Sequence, residues 1–127
     1  MKKTALLAIV LSLALAAPVA LAAGRKYKGK TEQNRPISFK VSKGKVRSFE
    51  GGINLFCLGS GIRFDAVIPP LPMKVFKGGK FSYKGLDKVA SNNIEIKGKV
   101  KGKRGSGTIS MTSSGCTGKA KFKVKRK

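Results

Sequence analysis

The 127-residue chain has no histidine, no tryptophan, five carboxylates and two cysteines. Without histidine there is no Ser-His-Asp or Cys-His catalytic arrangement, and no histidine-ligated zinc or copper site. The carboxylates (Glu32, Glu50, Asp65, Asp87 and Glu95) are spread along the chain. A paired-carboxylate hydrolase needs two of them to meet in a cleft, which spacing alone does not exclude. The plainer expectation is that each pairs with one of the many lysines. No oxygen-rich calcium loop, no Gly-rich loop leading into a helix and no S-x-x-K in a helical context occurs. The expectation is a protein that is not an enzyme and carries no cofactor. The lack of tryptophan also disfavours an aromatic platform for carbohydrate.

The N-terminus reads as an export signal. Met1-Lys2-Lys3-Thr4 is a short positive region, residues 5–17 are an apolar run, and Ala20-Leu21-Ala22 is a small-residue cleavage site. The run is short and ends at Pro18, which argues against a membrane anchor. No cysteine lies near the cleavage site, which argues against a lipoprotein. Residues 1–22 are therefore expected to be a signal peptide, with Ala23 an alternative last residue. Residues 23–127 are expected to form a single exported domain with no transmembrane segment, in the periplasm, cell wall or medium, and monomeric.

Lys2 and Lys3 leave with the signal, so the exported part keeps 26 basic against 5 acidic side chains, a net charge of +21. Such a balance favours solubility and attraction to polyanions. It also suits a plainer role, because lysines on exposed strands block edge-to-edge pairing. Both cysteines lie in the exported part, and an oxidising compartment makes a Cys57–Cys116 disulfide the default. It would close a loop of roughly 60 residues, for which chain entropy gives about 4 kcal/mol. A catalytic or metal-binding thiol lacks partners.

The hydrophobic pattern is that of β-structure. Side chains alternate between faces in a strand, and Ile94, Ile96, Gly98 and Val100 alternate with Glu95, Lys97, Lys99 and Lys101. Ala120, Phe122 and Val124 alternate in the same way with Lys119, Lys121, Lys123 and Lys125, after a strand holding Ile109 and Met111. Earlier, residues 25–31 read as a short strand. Ile37, Phe39 and Val41 mark a second, which turns at residues 42–45 into residues 46–49 as a hairpin. Gly51-Gly52 reads as a bulge or break in one long strand, or as a change of sheet. Ile62, Phe64, Ala66 and Ile68 read as the inward face of the next strand. Pro69-Pro70-Leu71-Pro72 cannot sit within a sheet and suits a crossover between two sheets. Further strands follow at residues 73–76 and 81–83, then a polar loop over residues 85–93. The two last hairpins are expected to turn at residues 102–107 and 113–118. Outside the signal no segment holds a 3.6-residue period over ten residues. The expected fold is an all-β antiparallel sandwich of about eight or nine short strands, with a small β-barrel as the alternative. A sandwich would use the disulfide to pin sheet to sheet, a barrel to close its seam. Phe39, Phe64, Phe81, Tyr83 and Phe122 fall on the apolar side of their strands and are assigned to the core; Phe49, Phe56 and Phe76 stay unassigned.

The final segment K-G-K-V-K-G-K-R-G-S-G-T-I-S-M-T-S-S-G-C-T-G-K-A-K-F-K-V-K resembles the tail of a group of small exported bacterial β-proteins of unknown function. The opening Y-K-G-K-T at residues 27–31 and P-I-S-F-K-V at residues 36–41 are similar to that group too. The resemblance implies a β-sandwich and a Cys57–Cys116 pairing. It implies no activity.

What remains is a cationic surface. Lys97, Lys99, Lys101 and Lys103 are expected to line one strand's outer face, and Lys119, Lys121, Lys123 and Lys125 another, extended by Arg126 and Lys127. Like charges facing each other across strands destabilise a sheet, which hints at an anionic partner. Lysine outnumbers arginine, favouring diffuse attraction over bidentate recognition. The expected partners are anionic polymers or surfaces: cell-wall polymer, acidic polysaccharide, nucleic acid or anionic lipid. Exposed aromatics between the cations, which single-stranded nucleic acid favours, are not evident. The alternative is a structural or protein-interaction module of the cell envelope whose charge confers only solubility. A membrane-disrupting cationic toxin is disfavoured, because no amphipathic helix or long exposed apolar patch is evident.

Overall fold

The computed structural model describes residues 24–89 and 92–127; the expected signal peptide lies outside the described residues. The described residues form nine strands: β1 (Arg25–Thr31), β2 (Pro36–Ser42), β3 (Lys45–Cys57), β4 (Gly61–Ala66), β5 (Met73–Lys74), β6 (Lys80–Leu86), β7 (Asn93–Lys101), β8 (Arg104–Ser113) and β9 (Cys116–Arg126). No helix among them is long and apolar enough to cross a membrane. All pairings are antiparallel, in the order β4-β3-β2-β1-β9-β8-β7-β6, with β5 also on β3. A second contact of β3, with β9, closes β3, β2, β1 and β9 into a small barrel. The all-β antiparallel architecture follows from the period-two alternation. The closure takes the barrel form of the two alternatives.

One core serves the whole sheet. The Phe39 ring sits at its centre, 5.3 Å from Tyr27, 5.2 Å from Phe81 and 6.3 Å from Phe122 between centroids. Strands β2 and β6 lie far apart in sheet order, so their contact through Phe39 and Phe81 means that the sheet folds over onto itself. Two glycines admit these rings. Gly98 stands opposite Phe81 and Gly107 opposite Phe122. A Cβ at Gly98 would collide with the Phe81 ring, and one at Gly107 with Phe122 and the Lys97 carbonyl oxygen. Aromatic rings laid over cross-strand glycines fill space that a side chain would otherwise take.

The middle of the chain departs from the sequence expectations. Strand β3 is continuous, and its bulge falls at Arg47, between the Lys40–Ser48 and Val41–Val46 pairs. At Gly51-Gly52 the strand changes partner: Gly51 faces Ile37 of β2, and Gly52 faces Ala66 of β4. The proline segment joins β4 to β5, both on β3, so it is not a crossover between sheets. It runs beside β3, with Val67 N–H donating to Gly51 O at 2.9 Å. Val67 is buried, and Ile62 and Phe64 point outward, the reverse of the expected facing. The inward positions of β4 hold Arg63 and Asp65 instead, bridged at 2.8 Å, where the strand overhangs the end of the core. Of the unassigned phenylalanines, Phe49 is buried, and Phe56 and Phe76 are exposed. The last two hairpins turn more tightly than expected, at Gly102-Lys103 and Ser114-Gly115, because Gly105, Gly107 and Gly118 belong to strands.

Three features close the seam between β3 and β9. Cys57 faces Cys116 and is bonded to it. Leu58 N–H donates to Gly115 O at 3.0 Å. Beside them, the Gln33 carboxamide acts as a short piece of strand: its Oε1 accepts Asn54 N–H at 2.8 Å and its Nε2 donates to Asn54 O at 3.2 Å. Arg35 holds the Asn54 side chain through two bonds to Oδ1, at 3.1 and 2.9 Å. On the far side of the sheet, Asp87 ties the loop after β6 to the proline segment. Its Oδ2 accepts Ile68 N–H at 2.9 Å, and Lys88 N–H donates to Ile68 O at 2.9 Å. The carboxylates are thus not each matched to a lysine. Asp65 takes Arg63, while Asp87 and Glu32 accept backbone N–H groups, the latter from Lys121 at 3.0 Å.

Candidate anion-binding face

The two lysine rows lie in one sheet and on one face, separated by β8. Register fixes their arrangement. Lys97, Lys99 and Lys101 of β7 stand opposite Thr108, Ser106 and Arg104 of β8. Those three stand opposite Lys121, Lys123 and Lys125 of β9. With strands about 4.8 Å apart, the lysine columns are about 10 Å apart, and cations along each column repeat at about 6.8 Å. Between them runs a line of short hydroxyl side chains, Ser106, Thr108 and Ser110. The inward residues of β7 and β9 (Ile94, Ile96, Ala120, Phe122 and Val124) are buried, which anchors the lysines outward.

The face extends beyond the expected rows. Lys30 faces Lys123 and Lys28 faces Lys125 on β1, while Lys80 of β6 faces Lys99. One rung therefore reads Lys80, Lys99, Ser106, Lys123, Lys30; its neighbour reads Lys101, Arg104, Lys125, Lys28. The acidic residues sit at the margin: Glu95 faces Lys84 on one side and Ser110 on the other, and Glu32 lies against Lys121. The grouping of like charges across four strands has no internal neutralisation along the second rung. Lys103 does not belong to the row: it lies in the two-residue turn after β7, where its carbonyl accepts Arg126 N–H at 2.7 Å. Arg104 takes the place expected of it.

Three shallow depressions border this stretch of β8; one lies on the β6–β7 side, beside Phe76, Lys80, Lys97 and Lys99, and two reach the β9 lysines. Of these two, one, of about 550 Å³, is bordered by Lys99, Lys101, Arg104, Ser106, Lys123 and Lys125. The other, of about 540 Å³, is bordered by Lys30, Glu32, Ser106, Thr108, Lys121 and Lys123. They meet at Ser106 and Lys123, giving a groove with largely cationic walls, hydroxyl donors on its floor and one carboxylate, Glu32, at its β1 end. Lys28, Lys30, Lys80, Arg104, Ser106 and Thr108 escaped the sequence reading. Lys28 and Lys30 carried a usable signal, since they alternate with Tyr27 and Gly29 as the later lysines do with their own apolar partners.

Aromatic side chains do reach the surface beside cations. The Arg35 guanidinium lies 4.1 Å above the Phe64 ring and Lys74 Nζ lies 5.2 Å from the Phe76 centroid. Phe64 is thus outside the core to which it was assigned. Among the described residues no cluster of three or more His, Cys, Asp or Glu could hold a metal ion. No family model, no curated protein and no solved structure matches the chain.

Proposed function

We propose that this is an exported, non-enzymatic domain that binds anionic polymers or surfaces through the groove over β8. The single observation that carries the reading is the register. Lys101, Arg104, Lys125 and Lys28 face one another across four strands, as do Lys80 with Lys99 and Lys123 with Lys30. Each like-charge facing costs stability, and a charge kept only for solubility would be better scattered than aligned. An anion lying along the groove offsets that cost. It meets ammonium groups from both walls and hydroxyl donors from Ser106 and Thr108, chemistry suited to phosphate, sulfate or carboxylate repeats. Lysine walls give attraction with little demand on geometry.

The competing reading, an envelope structural or interaction module whose charge confers only solubility, predicts weak, non-saturating association with every polyanion. A panel of duplex DNA, a teichoic-type polymer, acidic polysaccharide and polyphosphate, each titrated across a salt series, separates the two. The groove predicts saturable binding to at least one member that persists near 0.15 M salt, with log affinity falling against log salt at a slope of about −4, the value for four to six contacted charges. Equal binding to all members that vanishes at that salt would refute the groove.

A further inference from the structure

The β3–β4 hairpin presents a surface opposite in character to the lysine face. Its outward side carries Phe56 and Ile62, which face each other in register, with Phe64 one rung below and Leu58 at the turn. Their exposures are 61%, 65%, 47% and 92%. Single exposed apolar residues are ordinary, but a contiguous cluster of four marks an interaction site. The turn itself projects beyond the point where Leu58 N–H meets Gly115 O: Gly59 and Gly61 have positive φ, 79° and 83°, and beyond their chain neighbours no heavy atom lies within 4 Å of where their side chains would be. The disulfide at Cys57 fixes the base of this tip between Phe56 and Leu58.

The cluster adjoins the cations. Phe56 stands opposite Thr117 at the start of β9, and the next outward residues on that strand are Lys119 and Lys121. An apolar projection bordered by lysines is the chemistry of a protein that lies in a membrane interface, where apolar side chains enter the acyl boundary and cations meet anionic headgroups. We infer that the β3–β4 tip is a wedge for an anionic lipid leaflet, with Leu58, Phe56 and Ile62 entering the apolar layer and Lys119 and Lys121 on the headgroups. A soluble polyanion offers no apolar phase for Leu58. A second copy of the chain would bring like surfaces of high positive charge together. The inference rests on the anion-binding reading for its electrostatic half only; the apolar tip stands independently.

The absence of tryptophan makes a clean test possible, because Leu58→Trp introduces a single reporter at the tip. The expected result is a blue shift of its emission, and quenching by brominated acyl chains, on phosphatidylglycerol-containing vesicles. Bound polyphosphate should leave the emission unchanged. The surface variant Phe56→Ser/Leu58→Ser/Ile62→Thr should bind those vesicles about a hundredfold more weakly, given the apolar area removed, and polyphosphate as before. Vesicle-bound Leu58→Trp protein whose indole emission stays at its value in water would overturn the wedge, as would failure to bind the vesicles at all. A blue shift that grows with protein concentration without vesicles would overturn it in favour of self-association. Insertion into vesicles by a protein that ignores polyphosphate would uphold the wedge and defeat the groove.

Discussion

Replacing Cys57 and Cys116 together by serine should lower the midpoint of thermal unfolding by about 20 °C. The disulfide joins residues 59 apart in sequence, and the chain-entropy model assigns a loop of that length about 4 kcal/mol. For a domain of about 100 residues each kcal/mol moves the midpoint by about 4–8 °C. The position adds to the length. The bond lies where β3 meets β9, the contact that closes the barrel, and only Phe56–Thr117 and Cys57–Cys116 pair there. Without the cross-link the seam depends on Leu58 N–H to Gly115 O and on the Gln33 bridge to Asn54. Calorimetry of the double serine variant, or of wild-type protein with and without reductant, measures the effect. A loss under about 5 °C would mean that the seam is held by its hydrogen bonds and that the disulfide is incidental to it.

The double charge reversal Arg104→Glu/Lys123→Glu should move stability and affinity in opposite directions. Arg104 faces Lys101 and Lys125, and Lys123 faces Lys30 across to β1. Turning each into an opposite-charge facing should stabilise the sheet by about 1 kcal/mol in total. The same two residues border the groove and are shared between its depressions or adjoin them. Reversing both removes about four units of positive charge from the path of the ligand, so affinity for a linear polyanion at low salt should fall about a hundredfold and the salt slope should flatten. Urea unfolding and a binding titration on the same preparation decide it. A variant that is both more stable and equally tight would show that these cations are not at the interface. A variant that loses stability would show that the facing charges are accommodated in some other way.

The sequence made the β-character and the outward lysines of β7 and β9 legible, because the apolar parity of those strands lies over the core. It misplaced β4, and the reason is physical. In residues 61–66 apolar Ile62, Phe64 and Ala66 alternate with Arg63 and Asp65 just as cleanly, but the strand overhangs the end of the core, so alternation alone does not say which face is inward. Arg63 and Asp65 take the inward positions near the end of the barrel, where an ion pair is tolerated; Val67 reaches the core, and Ile62 and Phe64 are left outside. Lys103 followed the alternation of its row on paper, but a two-residue turn removes it from the strand. The reach of the face onto β1 and β6 depends on which strands lie beside β9 and β7, a non-local fact that spacing does not encode. The bridge from Gln33 to Asn54 has no sequence signature either, since it replaces a backbone rung with a side chain.

Protection of individual lysines from acetylation, measured with and without polyphosphate at low salt, tests the central claim most directly. The groove predicts strong protection at Lys97, Lys99, Lys101, Lys121, Lys123 and Lys125, lesser protection at Lys28 and Lys30, and none at Lys43 and Lys45, which lie in or beside the β2–β3 turn away from β8. Uniform protection of all lysines, or protection centred on Lys43 and Lys45, would contradict a binding face built on β7, β8 and β9.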